Sequence, residues 1–551
     1  MAKPTRLTRG MIDDYLRRGY WDQRSISDIL LENAKKYPND EAVVDPARRL
    51  TWSQLNKVTS TAAVRLRELG IERDQAIVIQ VPTPSTSLLF LLACHRAGLL
   101  CCFLPMTFRL NETRHVIRKL GAVASVTPIT YRNVNYLEKV RKISLKLKTL
   151  RYFFVTDRVA PEGTIPVSDL TDISPKAEPG DRAWQGTAFS PFEVSIVVLS
   201  SGTTGIPKCI EHTGASCKAG GWGVVERARL THGDIIGNIA PISGGPGLQN
   251  WWAAFQIGAK TCALERFSPE AALELIEKER VTYLAAIPTQ LVRMLREAEL
   301  SKYDLSSLRI VRTGAAAFDF AMARETEERL KCKVLVAGGS QETYSFAQSS
   351  IDDPLDNRLK TLGKPFPGNE VKIVDEKGRE LPAGEIGELR VRGAATSSGY
   401  HGEPEATIEA WGELGKEGWY RTGDIARIDN DGYLVLVGRK KEMILRGGQN
   451  IFPGEIEELL VSHPRITQAV VIGVPDPIMG ERACACITLV PGDSLSFEEM
   501  VEFLRAKGLA IHKLPERLEI LDEFPHLADG QKVDKISLKK MILKRLDSAA
   551  E

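Results

Sequence analysis

An α/β fold with a large N-terminal domain and a small α+β C-terminal domain is what this sequence predicts, and three observations predict it. The chain has 551 residues, too many for one ordinary domain and enough for large buried cores. Short apolar runs alternate with helical stretches over most of the first 340 residues, the pattern of parallel-rich sheets covered by helices. Polar, glycine-bearing segments follow several of these runs, at the strand ends where such sheets bind ligands.

Taken in order, Ile26–Lys36 reads as a helix, and Glu41–Val44 with Arg49–Thr51 as a strand pair. Thr51 opens a helix (TWSQL) running to about Leu69, followed by a strand at Gln75–Gln80, a helix at 85–97, a strand at 99–104 and a helix at 111–119. Leu88–Met106 is the most apolar region, but His95, Arg96 and Gly98 interrupt it, so a buried helix, a turn and a strand are expected there and not a membrane span. Strands recur near 234–239, 260–264, 283–287, 309–313 and 334–337, with helices such as Pro269–Lys278 and Ala321–Leu330. Glu385–Arg392 alternates with period two, the mark of an antiparallel strand in a smaller β-rich part. A boundary is expected at GRKKE, dividing residues 1–437 from a hinge at 438–442 and a C-terminal domain at 443–551. Within that domain Pro453–Leu460 and Phe497–Ala506 read as helices, and Gln468–Val474 and Ala483–Val490 as strands.

Hydrophobic content of 43%, charged content of 26% and a net charge of +2 point away from nucleic acid and anionic membranes and toward small-molecule partners. The nine cysteines lack CxxC or Cys/His ligand spacing and read as reduced, mostly buried thiols of a cytoplasmic protein. The charged N-terminus has no apolar signal-peptide core, so export is not expected.

The chemistry centres on Leu199–Lys208, LSSGTTGIPK, after the apolar run Val194–Leu199. Gly202 and Gly205 let the backbone approach a ligand, Ser200, Ser201, Thr203 and Thr204 supply donors, and Lys208 adds a positive charge: a phosphate cradle. A polar strand-to-loop turn is the bland alternative. A Walker loop is excluded, because Pro207 precedes Lys208 and Cys209 follows it. Six further segments stand in order behind it: TGAA at Thr313–Ala316, GGSQET at Gly338–Thr343, GWYRTGD at Gly418–Asp424, GRKKE at Gly438–Glu442, GGQNIFPGEIE at Gly447–Glu457 and GQKVDK at Gly530–Lys535. Each alone reads as a turn, a surface charge or a proline-started helix.

Together they resemble the motifs of the acyl-adenylate-forming superfamily, which includes acyl- and aryl-CoA synthetases, over about residues 25–540. The resemblance implies ATP, Mg²⁺ and coenzyme A as cofactors and a small carboxylic acid as substrate. It implies that Ser200, Ser201, Gly202, Thr203, Thr204, Gly205 and Lys208 hold the phosphates, and that Gly314, Ala315, Ala316, Gly338, Gly339, Ser340 and Gln341 pack around the adenine. Glu342 is implied as the Mg²⁺ ligand, Asp424 and Arg439 as ribose contacts, Lys441 as the hinge and Gly447 with Gly448 as part of the thiol channel. Lys532 is implied as the catalytic lysine, although Gln531 stands where the family has glycine. Thr204, Glu342, Lys441 and Lys532 are thus the residues implied in catalysis.

Two half-reactions follow from the resemblance: adenylation of the acid with loss of pyrophosphate, then transfer to a thiol with loss of AMP. The small domain would rotate about Lys441 between them. The family's acid pocket maps to Pro241–Leu248, Thr313–Ala316 and Gly338–Ser340, which read as small and apolar. No histidine-asparagine pair of the kind typical of dihydroxybenzoate activators occurs over Asn238–Gly247, so a catechol acid is disfavoured while aromatic, alicyclic and medium-chain acids fit. Loading of a carrier-protein phosphopantetheine is the alternative; GQKVDK leans that way, whereas GGQNIFP leans to coenzyme A. The resemblance also allows a homodimer, and a degenerate, non-enzymatic binding protein is the third reading.

Overall fold

The helix Pro84–Ala97 is buried at every position and packs in one core with Ala42 and Val43 of one sheet and Ile77, Ile79 and Ile196 of another. Its composition explains this placement, since all its residues but His95 and Arg96 are apolar or small and its one arginine is hydrogen-bonded locally: Arg96 donates to Asn56, Thr59 and Ser60 and lies 5.0 Å from the Trp184 ring. Gly98 ends the helix with φ +69°, where a Cβ would stand 2.5 Å from the Thr187 carbonyl, so only glycine makes this turn. This computed structural model describes residues 7–171, 184–200, 207–314, 320–413, 418–447, 449–526 and 533–550.

Among the described residues the first large sheet has nine strands. Its parallel centre runs through Lys333–Ser340, Ile310–Gly314, Tyr283–Ala285, Ile235–Asn238, Lys260–Ala263 and Glu41–Val44, with antiparallel strands at both edges. The second has eight strands, parallel from Val194–Leu199 through Leu100–Phe103, Ala76–Ile79, Ala124–Thr127 and Tyr152–Val155, and antiparallel at Cys209–Thr213 and Gly399–Tyr400. The central strands are buried on both faces, which is why they read as unbroken apolar runs rather than as alternation.

A four-stranded antiparallel sheet, Asn369–Val374, Gly387–Gly393, Tyr420–Ile428 and Leu434–Arg439, forms the small β-rich part. After a 3₁₀ turn at Lys440–Glu442 the chain builds a separate C-terminal sheet, in which Ile466–Asp476 and Gly480–Leu489 pair antiparallel beneath helices Pro453–Val461 and Phe497–Ala506. The fold class is therefore the expected one. Two details differ. Gly338, Gly339 and Ser340 continue the strand Lys333–Ser340 into an antiparallel hairpin with Tyr344–Gln348, where a loop was expected. Gly438 and Arg439 likewise belong to a strand, so the irregular connector begins only at Lys440. In both places backbone pairing with a neighbouring strand overrides a local composition that reads as a turn.

Candidate active site

The strands Val194–Leu199 and Cys209–Thr213 pair antiparallel, so LSSGTTGIPK is the connection of a hairpin. Its neck is closed by Ser200 N–H donating to the Lys208 carbonyl and Lys208 N–H donating to Ser200 Oγ, both at 3.1 Å. Ser201, Gly202, Thr203, Thr204 and Gly205 lie outside the described residues. Beyond the neck, Lys208 Nζ sits 4.4 Å from the centre of the Tyr400 ring, and Tyr400 OH donates to Glu342 Oε1 at 3.0 Å. Ammonium, phenol and carboxylate thus form one chain of contacts. It spans the junction of the two large sheets, since Tyr400 is on the edge strand of one and Glu342 follows a strand of the other.

Glu342 is buried, and its position is set by its backbone: its N–H donates to Ser340 Oγ at 3.2 Å and its carbonyl accepts from Ser397 N–H at 2.7 Å. Next to it the Gln341 carbonyl accepts from His212 Nε2 at 2.8 Å, which fixes the proton on that ring nitrogen. Burial and the adjacent Glu342 charge push the Tyr400 phenol up, so it stays a hydrogen-bond donor. Tyr420 brings its hydroxyl to Ser340 and Glu342 from the antiparallel sheet, and burial raises it in the same sense.

Behind Gln341 is a cavity of about 80 Å³. Gly245 and Pro246 of the helix Gly245–Ile257, Thr313 and Gly314, and Gly339 and Ser340 line it, as expected from the sequence. Gly339 is required there, because a Cβ would fall 2.1 Å from the Tyr344 carbonyl across the hairpin. Tyr344 itself holds φ +51°, an uncommon conformation for a bulky residue, with its hydroxyl 3.3 Å from Cys217 Sγ. Gly338 points away from the cavity toward Leu362. Ala315 and Ala316 lie outside the described residues. Beside the small residues that line the cavity, Gln249, Arg312 and Ser345 bring polar and charged groups to it. Gln249 is one helical turn past Gly245 and Ser345 is in the partner strand of the hairpin, both just beyond the stretches that the sequence picks out, and Arg312 interrupts the otherwise apolar strand IVRTG.

Asp424 and Arg439 face each other as paired residues of neighbouring antiparallel strands, with Arg439 Nε 2.5 Å from Asp424 Oδ1. Their sequence spacing reflects this register. Lys441 is exposed in the 3₁₀ turn, and Gly447 N–H donates to the Met479 carbonyl at 2.7 Å inside the small domain. Gly448 and Lys532 lie outside the described residues. Lys535, which begins the last helix, donates to Glu442 at 2.7 Å and to Glu457 at 3.0 Å, tying that helix to the connector and to the helix Pro453–Val461.

Among the described residues no group of three or more metal-ligating side chains gathers. Glu342 is a single buried carboxylate with one oxygen taken by Tyr400, a donor set that suits Mg²⁺, which keeps waters and phosphate oxygens as its other ligands. Three side chains at the site are not singled out by the sequence: Tyr400, Tyr420 and Arg312. Tyr420 lies within the GWYRTGD segment, while Tyr400 gives no signal beyond a glycine before it.

Comparison with known proteins gives the family. The profile of the family described as AMP-binding enzyme matches residues 30–401, and that of the AMP-binding enzyme C-terminal domain matches residues 455–531. A medium-chain fatty-acid-CoA ligase of Escherichia coli (strain K12) is 33% identical over 538 residues, covering 97% of this chain and 93% of the relative. A 2-hydroxy-7-methoxy-5-methyl-1-naphthoate-CoA ligase of Streptomyces carzinostaticus is 31% identical over 538 residues, covering 95% of this chain and 94% of the relative. The crystal structure of the anthranilate CoA ligase AuaEII in complex with anthranoyl-AMP superposes with a TM-score of 0.85 at 24% identity, covering 96% of this chain and 98% of that one, and so shares the fold. With a family profile across most of its length and relatives alike from end to end, the chain belongs to the AMP-binding enzyme family, the acyl-adenylate-forming enzymes.

Proposed function

We propose that the chain couples a carboxylic acid to coenzyme A in two steps, with an aromatic, alicyclic or medium-chain acid as substrate. The acid's carboxylate attacks the α-phosphorus of ATP and pyrophosphate leaves. The thiol then attacks the carbonyl of the acyl-adenylate and AMP leaves. The observation that carries this reading is the contact chain Lys208–Tyr400–Glu342, which puts a cation and a buried carboxylate beside one hairpin connection at the sheet junction. Lys208 and the loop residues Ser200 to Gly205 would hold the phosphates, and the Asp424–Arg439 pair would present its carboxylate to the ribose hydroxyls.

No covalent nucleophile on the protein is needed, since the work is positioning and charge neutralisation. Glu342 would hold Mg²⁺, which when bound neutralises phosphate charge; Tyr400 keeps that carboxylate in place. Lys532 is proposed to stabilise charge on the α-phosphate from the small domain. Rotation about Lys441, within the proposed hinge at 438–442, would then exchange it for the segment at Gly447 and Gly448. The similarity to two proteins named as CoA ligases favours coenzyme A over a carrier protein as acceptor. ATP–pyrophosphate exchange over a panel of acids tests the first step, with exchange expected for at least one acid class. AMP release with free coenzyme A, against release with a phosphopantetheinylated carrier, tests the second. Exchange without any AMP release on adding coenzyme A would reject the acceptor proposed here.

A further inference from the structure

Arg312 is 3% exposed, and among the described residues no carboxylate pairs with it. Its Nε donates to Gln348 Oε1 at 2.6 Å, and its Nη2 donates to Gln249 Oε1 at 2.9 Å and to Ser345 Oγ at 2.5 Å. All three acceptors are neutral, and Nη1 has no acceptor among the described residues. The buried Arg96 also has neutral partners, but it sits in a closed core under the Trp184 ring, whereas Arg312 borders the cavity beside Gln341. Burial pulls the guanidinium below its ordinary value, as expected for a cation facing no anion. A buried charge is retained at a loss in stability unless something compensates it.

One further feature faces the same space. The 13-residue helix Gly245–Ile257 begins on the cavity wall with no side-chain cap, so its positive end is turned to the cavity. Arg312 precedes Gly314, at the strand's C-terminal end, by two residues, which puts it roughly 7 Å deeper.

From the guanidinium, the helix terminus and this depth, we infer that the acid activated here carries a second anionic group, a carboxylate at the far end of a short chain or ring, and that Arg312 is the residue that selects it. This rests on the adenylation reading above. Adenylation would proceed at the carboxylate nearer Glu342, while the distal one receives Nη1 of Arg312 and completes the charge that the protein leaves open.

The test is ATP–pyrophosphate exchange with matched pairs, adipate against hexanoate and terephthalate against p-toluate, for the wild-type chain, Arg312→Met and Arg312→Lys. For the wild type, kcat/KM is expected to favour the diacid on the order of 10²-fold, the scale of a charge-assisted hydrogen bond. Arg312→Met should erase this preference, mainly through the KM of the acid, leave the KM of ATP unchanged and raise turnover of the monoacids; Arg312→Lys should restore part of it. If the wild type exchanges with the monoacids as well as or better than with the diacids, the inference is overturned while adenylation stands. If no acid in any broader panel supports exchange, adenylation falls and this inference with it. The wild-type comparison decides even if Arg312→Met fails to fold.

Discussion

Glu342 is held by four contacts: Ser340 at its N–H, Ser397 at its carbonyl, and Tyr400 and Tyr420 at its side chain. If it places Mg²⁺ on the nucleotide, Glu342→Gln should lower the rate of pyrophosphate exchange on the order of 10²–10³-fold, the scale of losing one preorganised charge contact. Tyr400→Phe keeps the carboxylate and removes one of its two orienting phenols, so a smaller loss, on the order of 10-fold, is expected. Raising the Mg²⁺ concentration should recover part of the rate in Tyr400→Phe and little in Glu342→Gln. Equal rates in all three proteins would place the metal elsewhere.

At the scale of elements, one edge of the nine-stranded sheet is stapled by charge. Glu279, buried near the end of the helix Pro269–Glu279, receives Arg49 from the strand Arg49–Thr51 and Lys260 from Lys260–Ala263; Glu41 meets the same two cations. The hydrogen bonds from Arg49, and then the Lys260 charge, hold the Glu279 carboxyl down at about 2 against burial, which opposes them. Because the folded value is depressed, this stabilisation is fully present above the ordinary carboxyl value of 4.5 and is lost as the pH falls toward about 2. Glu279→Gln should therefore be less stable than wild type by about 2 kcal/mol at neutral pH, discounted for the half-exposed Arg49, and the gap should close between these pH values. Urea unfolding at several pH values measures it. Gly339→Ala is the contrasting case, since its added methyl would meet the backbone of Tyr344 and open the hairpin that carries Glu342. A lowered melting temperature together with a raised KM for the acid is expected.

At the scale of the whole molecule, the small domain is joined to the rest through Lys440–Glu442, and Lys535 braces that connector from the last helix through Glu442. Lys535 already has two carboxylate partners, so it serves as a strut, and Lys532 is the lysine proposed for the chemistry. Lys535→Ala should lower the melting temperature by a few degrees and keep adenylation within several-fold of wild type. Lys532→Ala should abolish adenylation while still converting a supplied acyl-adenylate to the thioester. Lys441→Pro, which restricts the backbone at the proposed pivot, should spare adenylation and block thioester formation. Loss of both steps in Lys441→Pro with an unchanged fold would reject the pivot.

Elements whose character is set within a few residues were legible from sequence alone. Phe497–Ala506 and Ile26–Lys36 carry their own helical periodicity, and both stand where it placed them. The order of the motifs along the chain was enough to name the superfamily, because order and spacing survive without coordinates. What tertiary structure decided were contacts between residues far apart in the chain. Tyr400 reaches Glu342 across 58 positions and Arg312 reaches Gln249 across 63, so neither pairing leaves a local signature. The same holds for the hairpin at Gly338–Ser340, where a glycine-rich stretch reads as a loop until a partner strand supplies its hydrogen bonds. Local propensity acts over a turn of helix or a few strand residues, whereas a binding cavity is closed by whichever distant side chains the packing of two sheets brings to one place.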